Sequence, residues 1–221
     1  MSVNLIDSTK YKYNLLNNVG NLVDPPRPDG KSYLTRGDYT YFHYSCDNVN
    51  DVGWGCGYRT CQSLCSWIAA QQNRQIAVPT LLDIQKILVD IGDKPKSFNG
   101  SRQWIGALEV FYIIDTLFDI SCKIQHIPKG EMKRYINILR LYFEQFGGLV
   151  MMGGDVDASS KGIAGIHIAD NDAYLLVIDP HFVGEASIEQ LVSEGFVKWR
   201  HTSEFSDSSF YNLCLPQLTA S

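Results

Sequence analysis

DVGWGCGYRTCQSLCSWIAAQQ, residues 51–72, packs three glycines, a tryptophan and a cysteine into its first seven residues and then takes on a helical rhythm. Cys61, Leu64, Cys65 and Ile68 recur at intervals of three and four, which places them on one face of a helix running over about 57–72. Cys56 therefore stands at a helix start. A thiol there faces main-chain N–H groups without intrahelical partners and the positive end of the macrodipole, and both favour the thiolate. Gly55 and Gly57 on either side permit unusual backbone angles and close approach of a substrate backbone. Two readings of Cys56 stand side by side at this point: a nucleophile, and a buried thiol beside a glycine-rich turn. Cys61 and Cys65 read as core thiols, because no CxxC pair and no neighbouring histidine makes them metal ligands.

Upstream of this stretch, residues 1–24 are polar with scattered apolar positions, and PPRPDG (25–30) is a stiff bend. We read 1–30 as an arm, loosely ordered or not, and 31–221 as one domain. SYLTRGDYTYFHYSC (32–46) suits extended structure broken near Gly37. Downstream, a helix is predicted over 80–91, with Thr80 as its N-cap and Gly92 past its end, and 92–102 is a loop. A helix over 104–118 reads as buried on its nearly all-round apolarity, and one over 131–148 is stopped by two glycines. The pattern then changes to strands at 149–154, 162–169, 174–180, 196–200 and 210–215, with Asn171 and Asp172 suited to a hairpin turn. Helices first and antiparallel-looking strands afterwards give the α+β class.

Composition narrows the function. Of 221 residues 45% are apolar and 19% charged, so the chain can bury a sizeable core. A formal charge of −5 and no run of Lys or Arg argue against nucleic acid as partner. The N-terminus lacks a signal-peptide pattern and no apolar run reaches the length of a membrane span, so no membrane insertion is expected and the cytoplasm is the expected location. Six scattered cysteines do not make a disulfide scaffold, and no metal or cofactor is expected.

A thiolate nucleophile needs a base that can return a proton to the leaving amine, and a group to orient that base. YLLVIDPHF puts His181 at the end of an apolar strand, two residues after Asp179 and so on the same face of extended backbone. The same D-P-H is also a common turn opening. The main-chain N–H of Cys56 is one candidate donor to an oxyanion, with Tyr44 and His43 as side-chain candidates, although a strand tyrosine more often packs than donates.

GWGCGYRT with SCDNVNDV before it, GDKP, GSRQWIG, GGDVDASSKGI, LLVIDPH and FYNLCL together resemble the short-form ubiquitin-fold modifier specific proteases (UfSP family) over about residues 33–215. The resemblance implies a papain-like α+β fold, with helices on a mostly antiparallel sheet. It also implies Cys56 as nucleophile, His181 as base, Asp179 as its orienter and Tyr44 as oxyanion donor. Gly55, Gly57 and Trp104 of GSRQWIG would face the substrate, the alternative for Trp104 being a core tryptophan at a helix start. The implied partner is ubiquitin-fold modifier, as precursor and as conjugate. The loop between Trp67 and Gly92 differs in length from relatives, and 1–30 matches none of the family's motifs. Competing readings are a related protease directed at ubiquitin or an autophagy modifier, and a non-catalytic modifier-binding module.

Overall fold

A computed structural model describes residues 8–73 and 76–220; the first seven residues of the arm lie outside them. In chain order the regular elements are β1 (Lys31–Leu34), α1 (Cys56–Gln72), α2 (Leu81–Asp90), α3 (Ala107–Phe118), β2 (Cys122–Ile127) and α4 (Ile136–Gln145). They continue with β3 (Val150–Gly154), β4 (Lys161–Ala169), β5 (Asp172–Ile178), α5 (Ile188–Ser193), β6 (Val197–His201) and β7 (Tyr211–Pro216). The sheet runs β2-β7-β3-β4-β5-β6, every pair antiparallel, and β1 is added to the later half of β4.

The inner strands β3, β4 and β5 are buried nearly throughout because both faces of the sheet are covered there. Successive side chains point to opposite faces. Met151, Leu176 and Ile178 accordingly enter the core built on α1, α2 and α3, while Val150, Met152, Leu175 and Val177 enter a second core under α4. In α1 the side chains of Leu64, Trp67 and Ile68 are fully buried. Burying an aliphatic side chain of this size contributes about 1.5–3 kcal/mol, so α1 is anchored along its length and its first turn, with Cys56, is held with it.

Several boundaries differ from the sequence reading. The third helix starts at Ala107, because Gly106 is extended (φ −119°, ψ −165°) and caps the helix through its N–H to the Glu109 carboxylate at 2.8 Å. That helix is buried on one side only: Val110, Ile113, Ile114 and Phe118 face the core, and Leu108 is 47% exposed. The 131–148 helix is a 3-10 turn, Met132–Tyr135, followed by α4, and the left-handed Gly147 (φ +66°) ends the segment. The sequence reading has no strand at β2, whose Lys123 and His126 are exposed at the sheet edge and break the apolar alternation. The hairpin turn is Asp170 (φ +50°) with Asn171, and Asp172 already pairs with Ala169. Thr80 caps α2 reciprocally with Asp83, as the sequence suggests.

The stretch 32–46 is regular only in β1. After the left-handed Gly37 (φ +79°) it is an irregular extended run, clasped on one side by the arm. The Lys12 N–H donates to Cys46 O (2.9 Å), Tyr41 N–H to Leu16 O (2.8 Å) and Asn18 N–H to Tyr39 O (3.0 Å), with Val19 buried. The described part of the arm thus lies along the backbone that leads to Tyr44.

Candidate active site

The turn before α1 is wound around Asp51, whose carbonyl oxygen accepts the N–H of Trp54 (3.1 Å) and of Gly55 (2.8 Å). The unusual backbone expected at Gly55 is found instead at Gly53 (φ +85°); Gly55 has ordinary right-handed angles (φ −86°, ψ −1°) and Gly57 lies within α1. These two glycines are required for space. A Cβ on Gly55 would sit 2.0 Å from Asp51 Oδ2, and one on Gly57 would sit 2.5 Å from the Ile105 carbonyl oxygen. Cys56, the first residue of α1, is 8% exposed.

His181 follows the end of β5 and is fixed through its neighbours. Asp179 N–H donates to Phe196 O (2.7 Å), Tyr41 Oη donates to Asp179 O (2.6 Å), and Tyr44 N–H donates to Pro180 O (2.9 Å). One carboxylate oxygen of Asp179, Oδ1, accepts the main-chain N–H of His181 (3.0 Å) and also its ring Nδ1–H. Pro180 and His181 lie in a turn, not in extended backbone, so the turn closed on Asp179 Oδ1 orients the imidazole where the sequence reading expects a shared strand face, and the Cys56 thiol is near enough to the ring to help raise it. The ring of Tyr44 stands edge-on to that of His181, centroids 5.0 Å apart, and its hydroxyl reaches the same thiol. His43 points elsewhere, its Nδ1 within 3.1 Å of Tyr44 O in a pocket with Tyr41 and Phe182.

Burial alone would push the Cys56 thiol up. The hydrogen bond from His181, the main-chain N–H of Ser160, the imidazolium charge and the Tyr44 hydroxyl outweigh it, and the thiol is held below its ordinary value. Burial likewise pulls His181 down, but hydrogen bonds and charge from Asp179 and Cys56 raise it to about 9. Asp179 is pushed up by burial and brought below the ordinary carboxylate value by His181, with the Lys161 charge adding to it. Tyr44 is raised by burial and by the neighbouring sulfur, so it keeps its proton and can donate. The arrangement favours a thiolate–imidazolium pair with a phenolic donor beside the sulfur.

Behind this pair lies a buried ion cluster that the sequence reading did not contain. Arg59, one turn after Cys56, is fully buried, and all five of its N–H donors are used. Nε meets Asp51 Oδ2 (2.8 Å), Nη1 meets Asp47 Oδ2 (2.7 Å) and Gln62 Oε1 (3.1 Å), and Nη2 meets Asp47 Oδ1 (2.8 Å) and Asp51 Oδ1 (3.1 Å). Removing one partner from such a buried group typically costs about 3–5 kcal/mol. A signal was available: Arg59 is the lone charged residue in 57–72, the stretch predicted to be helix.

Trp104 is 59% exposed, which removes the core-tryptophan alternative, and its neighbour Ile105 abuts Gly57. Among the described residues no group of three or more His, Cys, Asp and Glu side chains is placed to hold a metal ion, and no helix is long and apolar enough to cross a membrane.

The model of peptidase family C78 matches residues 30–214. The chain is 47% identical over 207 residues to a probable Ufm1-specific protease 1 of Drosophila melanogaster, covering 93% of this chain and 88% of that one. It is 37% identical over 210 residues to Ufm1-specific protease 2 of Homo sapiens, covering 94% of this chain and 45% of that one, so it spans about half the length of the longer relatives. The crystal structure of UfSP from C. elegans superposes with a TM-score of 0.84 at 30% identity, covering all of this chain and 40% of that one. That likeness extends through helices packed on a mostly antiparallel sheet. With most of its length inside one family model, and close to half of its residues shared with a relative that it matches nearly end to end, this chain belongs to peptidase family C78.

Proposed function

We propose that the chain is a thiol peptidase that trims the precursor of ubiquitin-fold modifier at its C-terminal glycine and cleaves the modifier from lysine side chains. The observation that carries this reading is the Asp179–His181 hydrogen bond with the Tyr44 ring packed edge-on against that imidazole and the Cys56 thiol electrostatically linked to it. The relatives' names supply the modifier. In the acylation step the Cys56 thiolate attacks the carbonyl carbon of the modifier's last glycine. The carbonyl π pair moves to oxygen, where the Tyr44 hydroxyl and the Cys56 main-chain N–H receive the charge. Collapse expels the amine, which takes its proton from the His181 imidazolium and leaves a thioester. Water, deprotonated by the now neutral imidazole, attacks the thioester and restores the thiolate and the imidazolium. Asp179 keeps Nδ1–H directed at itself throughout, and no cofactor is required. A reducing compartment such as the cytosol suits a thiolate nucleophile.

The test is labelling by modifier carrying a C-terminal electrophile, run beside the equivalent ubiquitin and autophagy-modifier probes. A covalent adduct at Cys56 with the first probe alone is expected. An adduct with ubiquitin of equal rate would reassign the specificity, and no adduct with any probe would favour a binding module.

The pair sets the pH dependence. It is complete once Cys56 has lost its proton, below the usual thiol range, and it is lost as His181 deprotonates at about 9. A bell-shaped kcat/KM is expected, rising through the acid limb and falling through about 9. A rate still climbing at pH 10 would mean an unpaired thiol.

Tyr44→Phe keeps the ring against His181 and removes the donor. Loss of one such donor costs about 10²–10³ in kcat, roughly 3–4 kcal/mol, with little change in KM because the bond strengthens only as charge develops. Wild-type kcat in this variant would shift the donor role to main-chain amides alone. Trp104→Ala should leave the thermal midpoint unchanged, given its exposure, and raise KM severalfold for the modifier. An unaltered KM would remove Trp104 from the substrate surface.

A further inference from the structure

Asp51 touches three separate pieces of the site. Its Oδ1 accepts the main-chain N–H of Ser45 (2.8 Å), the residue directly after Tyr44 and itself in left-handed backbone (φ +53°). Its Oδ2 accepts Arg59 Nε (2.8 Å), one turn into the nucleophile's helix. Its carbonyl oxygen accepts the N–H of Gly55 (2.8 Å), the residue directly before Cys56. The carboxylate is fully buried and fills the space that the missing Cβ of Gly55 leaves open. Asp47 also reaches Arg59 from the Tyr44 side, but of the two carboxylates only Asp51 accepts a main-chain N–H adjacent to Tyr44 as well. Asp47, the second carboxylate on Arg59, spends its spare acceptor locally, on Val49 N–H (2.9 Å).

We propose that Asp51 is a positioning residue for the peptidase reaction: held by Arg59, it fixes the separation between the Tyr44 hydroxyl and the Cys56 sulfur. This rests on the reading of Tyr44 as the oxyanion donor. Both carboxylate oxygens already receive an N–H, and no isosteric substitute keeps both acceptors. In Asp51→Asn the amide NH2 must face either the Ser45 N–H or the Arg59 Nε–H, donor against donor, and the two segments part. A displacement of about 1 Å at a reacting group costs roughly 10²-fold in rate. The loss falls on kcat, because the substrate surface at Trp104 is on a different segment.

The experiment is a double-mutant cycle of Asp51→Asn and Tyr44→Phe in the full chain. kcat and KM are measured with a fluorogenic modifier conjugate, at a temperature where circular dichroism finds each variant folded. Asp51→Asn is expected to lose about 10–100-fold in kcat with KM within threefold. The double variant is expected to be no worse than Tyr44→Phe alone, since a residue acting through the hydroxyl has nothing to position once it is gone. Multiplying defects would overturn the proposal, because Asp51 would then act through the fold at large, and so would wild-type kcat in folded Asp51→Asn. A silent Tyr44→Phe would overturn the oxyanion reading first and this proposal with it, and the single variant distinguishes that case. Should Asp51→Asn fail to fold, Gly55→Ala enters the same cycle, its methyl displacing the carboxylate while every charge stays in place.

Discussion

Cys56→Ser is expected to lower kcat by about 10⁵–10⁶-fold, to background, while the dissociation constant for the modifier stays within a few-fold. The thiol is held below its ordinary value by its hydrogen bonds and by the imidazolium, whereas a serine hydroxyl in the same place keeps its proton at neutral pH. The substitution also acts on the base. Part of what raises His181 to about 9 is the hydrogen bond and charge of Cys56, so the imidazole of the serine variant titrates lower, and an NMR titration of that ring reads the change directly. Cys46, Cys61 and Cys214 are not poised to take over. Cys46 is buried and pushed up to about 11, and Cys61 and Cys214 are driven up by neighbouring thiols and burial. Turnover at even one-hundredth of the wild-type rate would therefore mean that chemistry occurs away from α1. Binding measured by calorimetry separates this result from a misfolded variant, since the modifier should still be recognised.

The groups that sit on the thiol were legible in sequence to the extent that their constraints are local. A glycine-rich turn running into a helical rhythm places Cys56, and Asp179 meets the His181 ring across the turn that D-P-H opens, where the sequence reading favours extended backbone. Caps were equally readable: Thr80 and Asp83 satisfy each other within one turn. What escaped the reading is non-local. Asp51 and Arg59 meet only because the turn folds back on the helix, and neither neighbour in sequence announces the pairing. The Ser160 N–H at the thiol belongs to the main chain, where any residue but proline would supply it. The strand β2 escaped because an edge strand exposes one side and needs no apolar alternation. At Gly55 the expected conformational freedom is not used: the backbone angles are ordinary, and the missing Cβ leaves room for the Asp51 carboxylate.

His181→Ala is expected to be nearly as severe as loss of the thiol, about 10⁴–10⁶-fold in kcat, because one ring performs two tasks. It lowers the thiol, so without it Cys56 rises and the thiolate fraction at neutral pH falls. In the proposed reaction it also protonates the leaving amine, a step for which Tyr44, held protonated well above neutrality, and Asp179, ionised well below it, are poor substitutes. The two losses separate experimentally. Alkylation of Cys56 by iodoacetamide reports only the thiolate, and its pH midpoint should move upward in the variant. An ester substrate with an acidic phenol as leaving group needs no proton, so raising the pH should restore much of its cleavage. An amide bond to lysine should stay uncleaved at every pH. If high pH restored amide cleavage as well, proton donation to the amine would have another source and the ring would serve the thiol alone. The side chain is 31% exposed, so its removal opens no sealed cavity, and the thermal midpoint should fall by only a few degrees. A collapse of the melt would place the residue's main contribution in the Asp179 junction at the end of β5 rather than in the chemistry.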